Sequence, residues 1–139
     1  MRNLFVTLVL LMSGVASAQS YLAVGSSFSK DNVGTFWMAG INTSEDNDVV
    51  VACDASLNFT SDHSFLRLSV MPQYDLGPIR VGAGFATYYS TKDFGYSGFT
   101  GSFSTKIEHS VNDGVAFFIT TDYTRELGNL NHFGIKLNL

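Results

Sequence analysis

The sequence predicts an all-β chain closed into an eight-stranded antiparallel up-and-down transmembrane β-barrel, and three observations carry that expectation. Beyond residue 18, Val, Ile, Thr, Phe and Tyr recur with a period of two, in runs broken by short Gly/Asn/Asp/Ser clusters, as half-buried strands do. Eight such runs, at about 20–28, 34–42, 48–59, 65–75, 79–90, 97–109, 114–124 and 131–139, are joined by connectors of 3 to 6 residues. Connectors that short fit hairpins and leave no room for crossover helices. In most runs one face is apolar while the other is rich in Gly, Ala, Ser and Thr with isolated charges, an arrangement that suits a barrel with lipid outside and a crowded lumen inside.

The segment before the strands has its own signature. Arg2 and the amino terminus precede the run Leu4 to Met12, and Ser13-Gly14-Val15-Ala16-Ser17-Ala18 follows. A charged start, a short apolar stretch and an Ala-x-Ala end read as a secretory signal peptide cleaved between Ala18 and Gln19. Nine residues are about half of the ~20 that a membrane-crossing helix needs. The expected division is a signal peptide at 1–18 and one barrel domain at 19–139, exported from the cytoplasm.

The first run opens with Ser20-Tyr21-Leu22-Ala23-Val24-Gly25, and the second carries Phe36 and Trp37. In the third, Val49, Val51, Cys53, Ala55, Leu57 and Phe59 oppose Val50, Ala52, Asp54, Ser56 and Asn58; in the fourth, Leu66, Leu68, Val70 and Tyr74 oppose Arg67, Ser69, Met71 and Gln73. Pro72 lacks the N–H that a ladder needs, so it is expected near the periplasmic rim or at a bulge. The fifth sets Ile79, Val81, Ala83, Phe85, Thr87 and Tyr89 against Arg80, Gly82, Gly84, Ala86, Tyr88 and Ser90. The sixth sets Phe103, Thr105, Ile107 and His109 against Ser102, Ser104, Lys106 and Glu108. In the seventh Val115, Phe117, Ile119 and Tyr123 oppose Ala116, Phe118, Thr120 and Asp122, and in the last Phe133, Ile135 and Leu137 oppose His132, Gly134 and Lys136. No Asp, Glu, Lys or Arg stands in any of these six apolar rows.

Alternation by itself also suits a soluble periplasmic β-barrel acting as a binding module, with the apolar rows in its core. Composition favours the membrane barrel and leaves the soluble one as the alternative. Only 14% of the chain is charged, against about a quarter or more of an ordinary soluble surface, and Lys occurs in the strands only at Lys106 and Lys136. Aromatic residues gather near strand ends, as rings at membrane interfaces do, and each run has the ~9–11 residues that cross hydrocarbon when tilted. With 8 Lys plus Arg against 12 Asp plus Glu and no basic cluster, nucleic acid is not an expected partner. The single cysteine, Cys53, excludes an intramolecular disulfide and sits in an apolar row as a small hydrophobe.

From Ser20 to Leu139, on the opening strand just quoted, the short turns and the terminal Phe133-Gly134-Ile135-Lys136-Leu137-Asn138-Leu139, the chain resembles the small eight-stranded outer-membrane barrels of Gram-negative bacteria, the OmpA/OmpX and opacity-protein type. The resemblance implies a place in the cell outer membrane, contact with outer-membrane lipid, and handling by the barrel-assembly machinery. That machinery usually meets a terminal Phe, where this chain has Leu139.

Four cations, Arg67, Arg80, Lys106 and Lys136, and three anions, Asp54, Glu108 and Asp122, fall on the lumen rows. Eight-stranded barrels are filled by side chains, so these charges are expected to form a network that locks the strands rather than to line a small pore. An outer-membrane lipid-modifying hydrolase or acyltransferase is the enzymatic alternative, because His109-Ser110 with Glu108 shares residue types with barrels that deacylate lipid A. Those barrels set His and Ser two apart on one face, whereas adjacent residues of a strand point oppositely. No catalytic residues are therefore assigned and no enzymatic activity is expected. His63, His109 and His132 make no metal motif, and Gly82-Ala83-Gly84 lies within a strand rather than in a phosphate loop, so no cofactor or metal is expected. The expected role is structural or surface-interacting, as a monomer. With both termini in the periplasm, the 91–96 loop faces outward, and its Phe94 and Tyr96, which no strand row requires, are the expected contact for an extracellular partner.

Overall fold

The structure is a computed structural model that describes residues 18–30, 32–43, 48–60, 64–90, 99–125 and 128–139. The signal-peptide segment up to residue 17, His63, and the loop residues Phe94 and Tyr96 lie outside the described residues. The strands are β1 (Gln19–Phe28), β2 (Val33–Asn42), β3 (Val49–Thr60), β4 (Ser64–Asp75), β5 (Ile79–Ser90), β6 (Phe99–Asn112), β7 (Val115–Thr124) and β8 (Gly128–Asn138). Each pairs antiparallel with the next, and β8 returns to β1 from Tyr21↔Asn138 to Phe28↔Asn131, closing the barrel. Closure leaves no sheet edge, so every strand is paired on both of its sides.

The strands are steeply tilted. A path along the ladder partners from Ser20 runs through Ile41, Cys53, Val70, Phe85, Phe103 and Tyr123 to Asn129. Asn129 lies past the last β8–β1 pair, Phe28↔Asn131, so one circuit climbs the whole length of β1. Residues at one height inside the barrel are therefore not ladder partners, and this displacement is what assembles the lumen.

Alternation runs as the sequence predicts, with the apolar rows outside. Phe85 is 74% exposed, and Trp37, Ile107, Val70, Leu57 and Ile119 are exposed with it, whereas Arg67, Glu108, Asp122 and Lys136 are buried inside. The lumen also holds two apolar clusters: Tyr21, Ala23, Phe36, Met38 and Phe118, and, toward the end that carries the β3–β4 connection, Phe65, Ala86, Tyr88 and Leu130.

Two hairpins at the opposite end, β4–β5 and β6–β7, are tight. Leu76-Gly77-Pro78 turns with Gly77 at φ +88°, a left-handed conformation that favours glycine; its N–H donates to Asp75 Oδ1 at 2.8 Å. Gly114 N–H likewise donates to Asn112 Oδ1 at 2.9 Å. Here the structure corrects the expected boundary: β6 continues through Ser110, which pairs with Ala116, to Asn112, and the register shifts between Ser110 and Asn112. Pro72 lies near this rim without a bulge. The β4–β5 ladder lapses at Met71 and Pro72 and resumes in unbroken register at Gln73↔Gly82, while Pro72 keeps its place opposite Val51.

Candidate functional site

The seven lumen charges picked out in the sequence all project into the barrel, but as two clusters rather than one network. The first is built on Arg67 of β4. Its Nη1 donates to Asp54 Oδ1 at 2.7 Å, its Nε to Asp122 Oδ2 at 2.7 Å, and its Nη2 to Asp122 Oδ1 at 3.2 Å and Ser104 Oγ at 3.4 Å. One guanidinium thus ties β4 to β3, β6 and β7, using the planar fork that lets Arg hold carboxylates in paired bonds.

Each oxygen of the two carboxylates also meets a hydroxyl donor. Ser69 Oγ donates to Asp54 Oδ1 at 2.8 Å and Tyr21 Oη to Asp54 Oδ2 at 3.2 Å. The hydroxyls of Tyr88 and Ser104 donate to Asp122, and His132 Nε2 lies 3.4 Å from its Oδ2 and 3.2 Å from Tyr88 Oη. Phe36 meets the His132 ring edge-on at a centroid distance of 5.6 Å, and Phe65 packs on Tyr88 at 5.3 Å.

Glu108 of β6 centres the second cluster. Lys136 Nζ donates to its Oε1 at 2.7 Å, and Lys106 Nζ approaches Oε2 to 2.9 Å as an ion pair without the alignment of a hydrogen bond. Arg80 Nη1 stands 4.0 Å away, and Arg80 Nε donates to Asp75 Oδ2 at 2.7 Å across the β4–β5 hairpin. Asp75 was not among the expected lumen charges. Its addition balances the interior: one cation faces two anions in the first cluster, three cations face two in the second, and the formal charges cancel with His132 neutral.

Tyr21 joins the clusters. Its hydroxyl reaches Asp54, while its ring stands 4.5 Å from Lys136 Nζ and 5.7 Å from Lys106 Nζ; Lys106 also lies 4.9 Å from the Phe118 ring. The contact needs Gly40, which lies between Tyr21 and Asp54 in the ladder. A Cβ there would come within 2.4 Å of the tyrosine ring carbon Cζ. Gly82 makes room in the same way for Gln73 and Met71, since a Cβ there would come within 2.7 Å of Gln73 Cγ and 3.1 Å of Met71 Sδ.

Sequence reasoning missed Asp75, Tyr21, Ser69, Ser104, Tyr88 and His132 as members of these clusters. The Asp75–Arg80 pair carries a legible signal, since two opposite charges flank the three-residue turn 76–78. The others do not, because Arg67 and Asp122 meet only through the tilt of the closed wall.

His109, Ser110 and Glu108 do not converge. Glu108 is buried in the lumen cluster, His109 is exposed on the outer face, and Ser110 is half-buried on the next inward position. Cys53 is a half-buried free thiol in the outward row of β3.

Compared with known families and curated proteins, the sequence matches none. Its fold does match solved structures. A de novo designed transmembrane β-barrel superposes with a TM-score of 0.67 at 12% identity, over 87% of this chain and 95% of that one. The outer membrane protein Ail of Yersinia pestis, in a phospholipid bilayer nanodisc, superposes with a TM-score of 0.59 at 11% identity, over 88% of this chain and all of that one. The chain has the closed, eight-stranded antiparallel architecture of the small transmembrane β-barrels.

Proposed function

We propose that the protein is a compact outer-membrane barrel that acts as a structural or surface-interacting element, without pore or enzymatic activity. The observation that carries this reading is the filling of the lumen. Arg67, Phe36, Tyr21 and Phe118 occupy mid-lumen at 1–2% exposure, with both charge clusters packed against them. A conduction path would have to break ion pairs held away from water, and separating one leaves an uncompensated buried charge at a cost of about 3–5 kcal/mol. The outward apolar rows and the likeness to two transmembrane barrels support the membrane placement.

Planar-bilayer recording of the refolded protein tests the closed lumen. No reproducible channel steps are expected; steps that change on replacing Lys106 or Arg80 would contradict the reading and favour a pore. Lipid A mass analysis after expression is expected to show unchanged acylation, and a lost or transferred acyl chain would favour the enzymatic alternative.

A further inference from the structure

The outer wall of the barrel is not evenly covered. Two neighbouring rows of outward side chains cross β1, β2 and β3 along the ladder. One runs Val24, Trp37, Leu57 and the other Leu22, Ala39, Ala55. The first row stands tall, with Trp37 65% and Leu57 52% exposed, while the second drops to two methyl groups at its centre. Across the β1–β8 seam Leu137, opposite Leu22, closes the near side. The result is a groove of about 730 Å³, floored by Ala39 and Ala55 and walled by Trp37, Leu57, Leu22 and Leu137.

We propose that this groove holds one acyl chain of a membrane lipid as a fixed, saturable site. The proposal rests on the membrane placement above, because the groove is continuous with the outward apolar belt. Its chemistry selects an aliphatic occupant. Ser56 turns its side chain into the lumen and is buried there, and no charged residue lines the groove, so it offers no ionic partner to a headgroup or a charged peptide. Its shape selects a chain over a second copy. A barrel is convex, and a neighbour would rest on Trp37 and Leu57 and leave the alanine floor uncovered, whereas a flexible chain fills the notch and touches protein on three sides. Those added contacts are what distinguish it from lipid on the open wall.

Trp37 is the only tryptophan in the chain, so its fluorescence reports the groove directly. The test titrates phosphatidylcholine carrying brominated acyl chains into the protein in bromine-free detergent micelles. Wild type is expected to show a steep phase of quenching that saturates near one lipid per barrel, reversed by unbrominated phosphatidylcholine. Replacing Ala39→Leu and Ala55→Leu fills the floor from outside the lumen, so the barrel is expected to fold as before and to lose the steep phase. Retained heat-modifiable migration checks that folding. A shallow, non-saturating curve in both proteins would overturn the groove while leaving Trp37 in an apolar phase and the membrane placement intact. Trp37 unquenched in micelles, with cross-links between copies, would show a second barrel seated there and overturn it too. No quenching in vesicles made wholly of the brominated lipid, without such cross-links, would remove the membrane placement itself.

Discussion

Arg67 and Asp122 lie 55 residues apart in sequence and share a bidentate pair at the centre of the barrel. Removing the guanidinium strands Asp54 and Asp122 together, so Arg67→Ala is expected to cost about 3–5 kcal/mol in urea unfolding from lipid vesicles. Removing all three charges at once, with Asp54→Asn, Arg67→Met and Asp122→Asn, is expected to cost less than Arg67→Ala alone, since no buried ion is left unpaired; a larger loss would show that the charges stabilise the barrel outright. Tyr21 offers a finer comparison. Tyr21→Phe loses one hydroxyl bond to the Asp54 carboxylate, about 1.5–3 kcal/mol, and Gly40→Ala displaces the whole ring at about 1–3 kcal/mol. A harmless Gly40→Ala would mean that the ring does not rest there. At this scale the sequence was legible only in part. Period-two alternation places Asp54, Arg67 and Asp122 on inward rows, but it says nothing about which inward residues share a height. That depends on strand tilt, which also hides the part played by Tyr21, Ser104 and His132.

Single strands were easier to read, because each needs only its own alternation and its turn residues. The limits of β3, β4 and β5 fall within a residue of the expected ones. Misjudged limits have local causes. At the end of β6, Ser110-Val111-Asn112 leads straight into Asp113-Gly114 and looks like loop, yet a register shift absorbs the extra residue and the Asn112 side chain closes the turn on Gly114. At the start of β8, Gly128 and Asn129 offer no strand propensity and are held by pairing with Thr124 and Tyr123. Gly77, at φ +88° with open space around it, tests a turn without a packing complication: Gly77→Ala is expected to cost about 1–2 kcal/mol in the same unfolding assay. The outward row of β6 tests lipid contact, since Phe103→Arg near the bilayer midplane is expected to cost about 2–4 kcal/mol. For the β5–β6 connection, Phe94→Ser with Tyr96→Ser is expected to leave refolding intact and to abolish capture of an extracellular partner; unchanged capture in a pull-down would remove that surface role.

The whole molecule is an inside-out protein, with an apolar exterior and an interior of paired charges. An aqueous surface of Phe85, Trp37, Ile107 and Val70 would drive association, whereas in lipid the same residues are solvated and the closed wall presents no open sheet edge. Such a barrel is expected to resist detergent until boiled and to migrate differently on gels before and after heating. The most direct measurement is residue-resolved labelling of the refolded protein in vesicles, with a photoreactive probe dissolved in the lipid and an amine reagent in the water. The account predicts that the lipid probe marks the row of Phe103 and Phe117 while Lys106 and Lys136, at 4% and 0% exposure, stay unmodified by the aqueous reagent. Protection of Phe103 and Phe117 together with ready modification of Lys106 and Lys136 would contradict it, and would mean that the wall faces the other way.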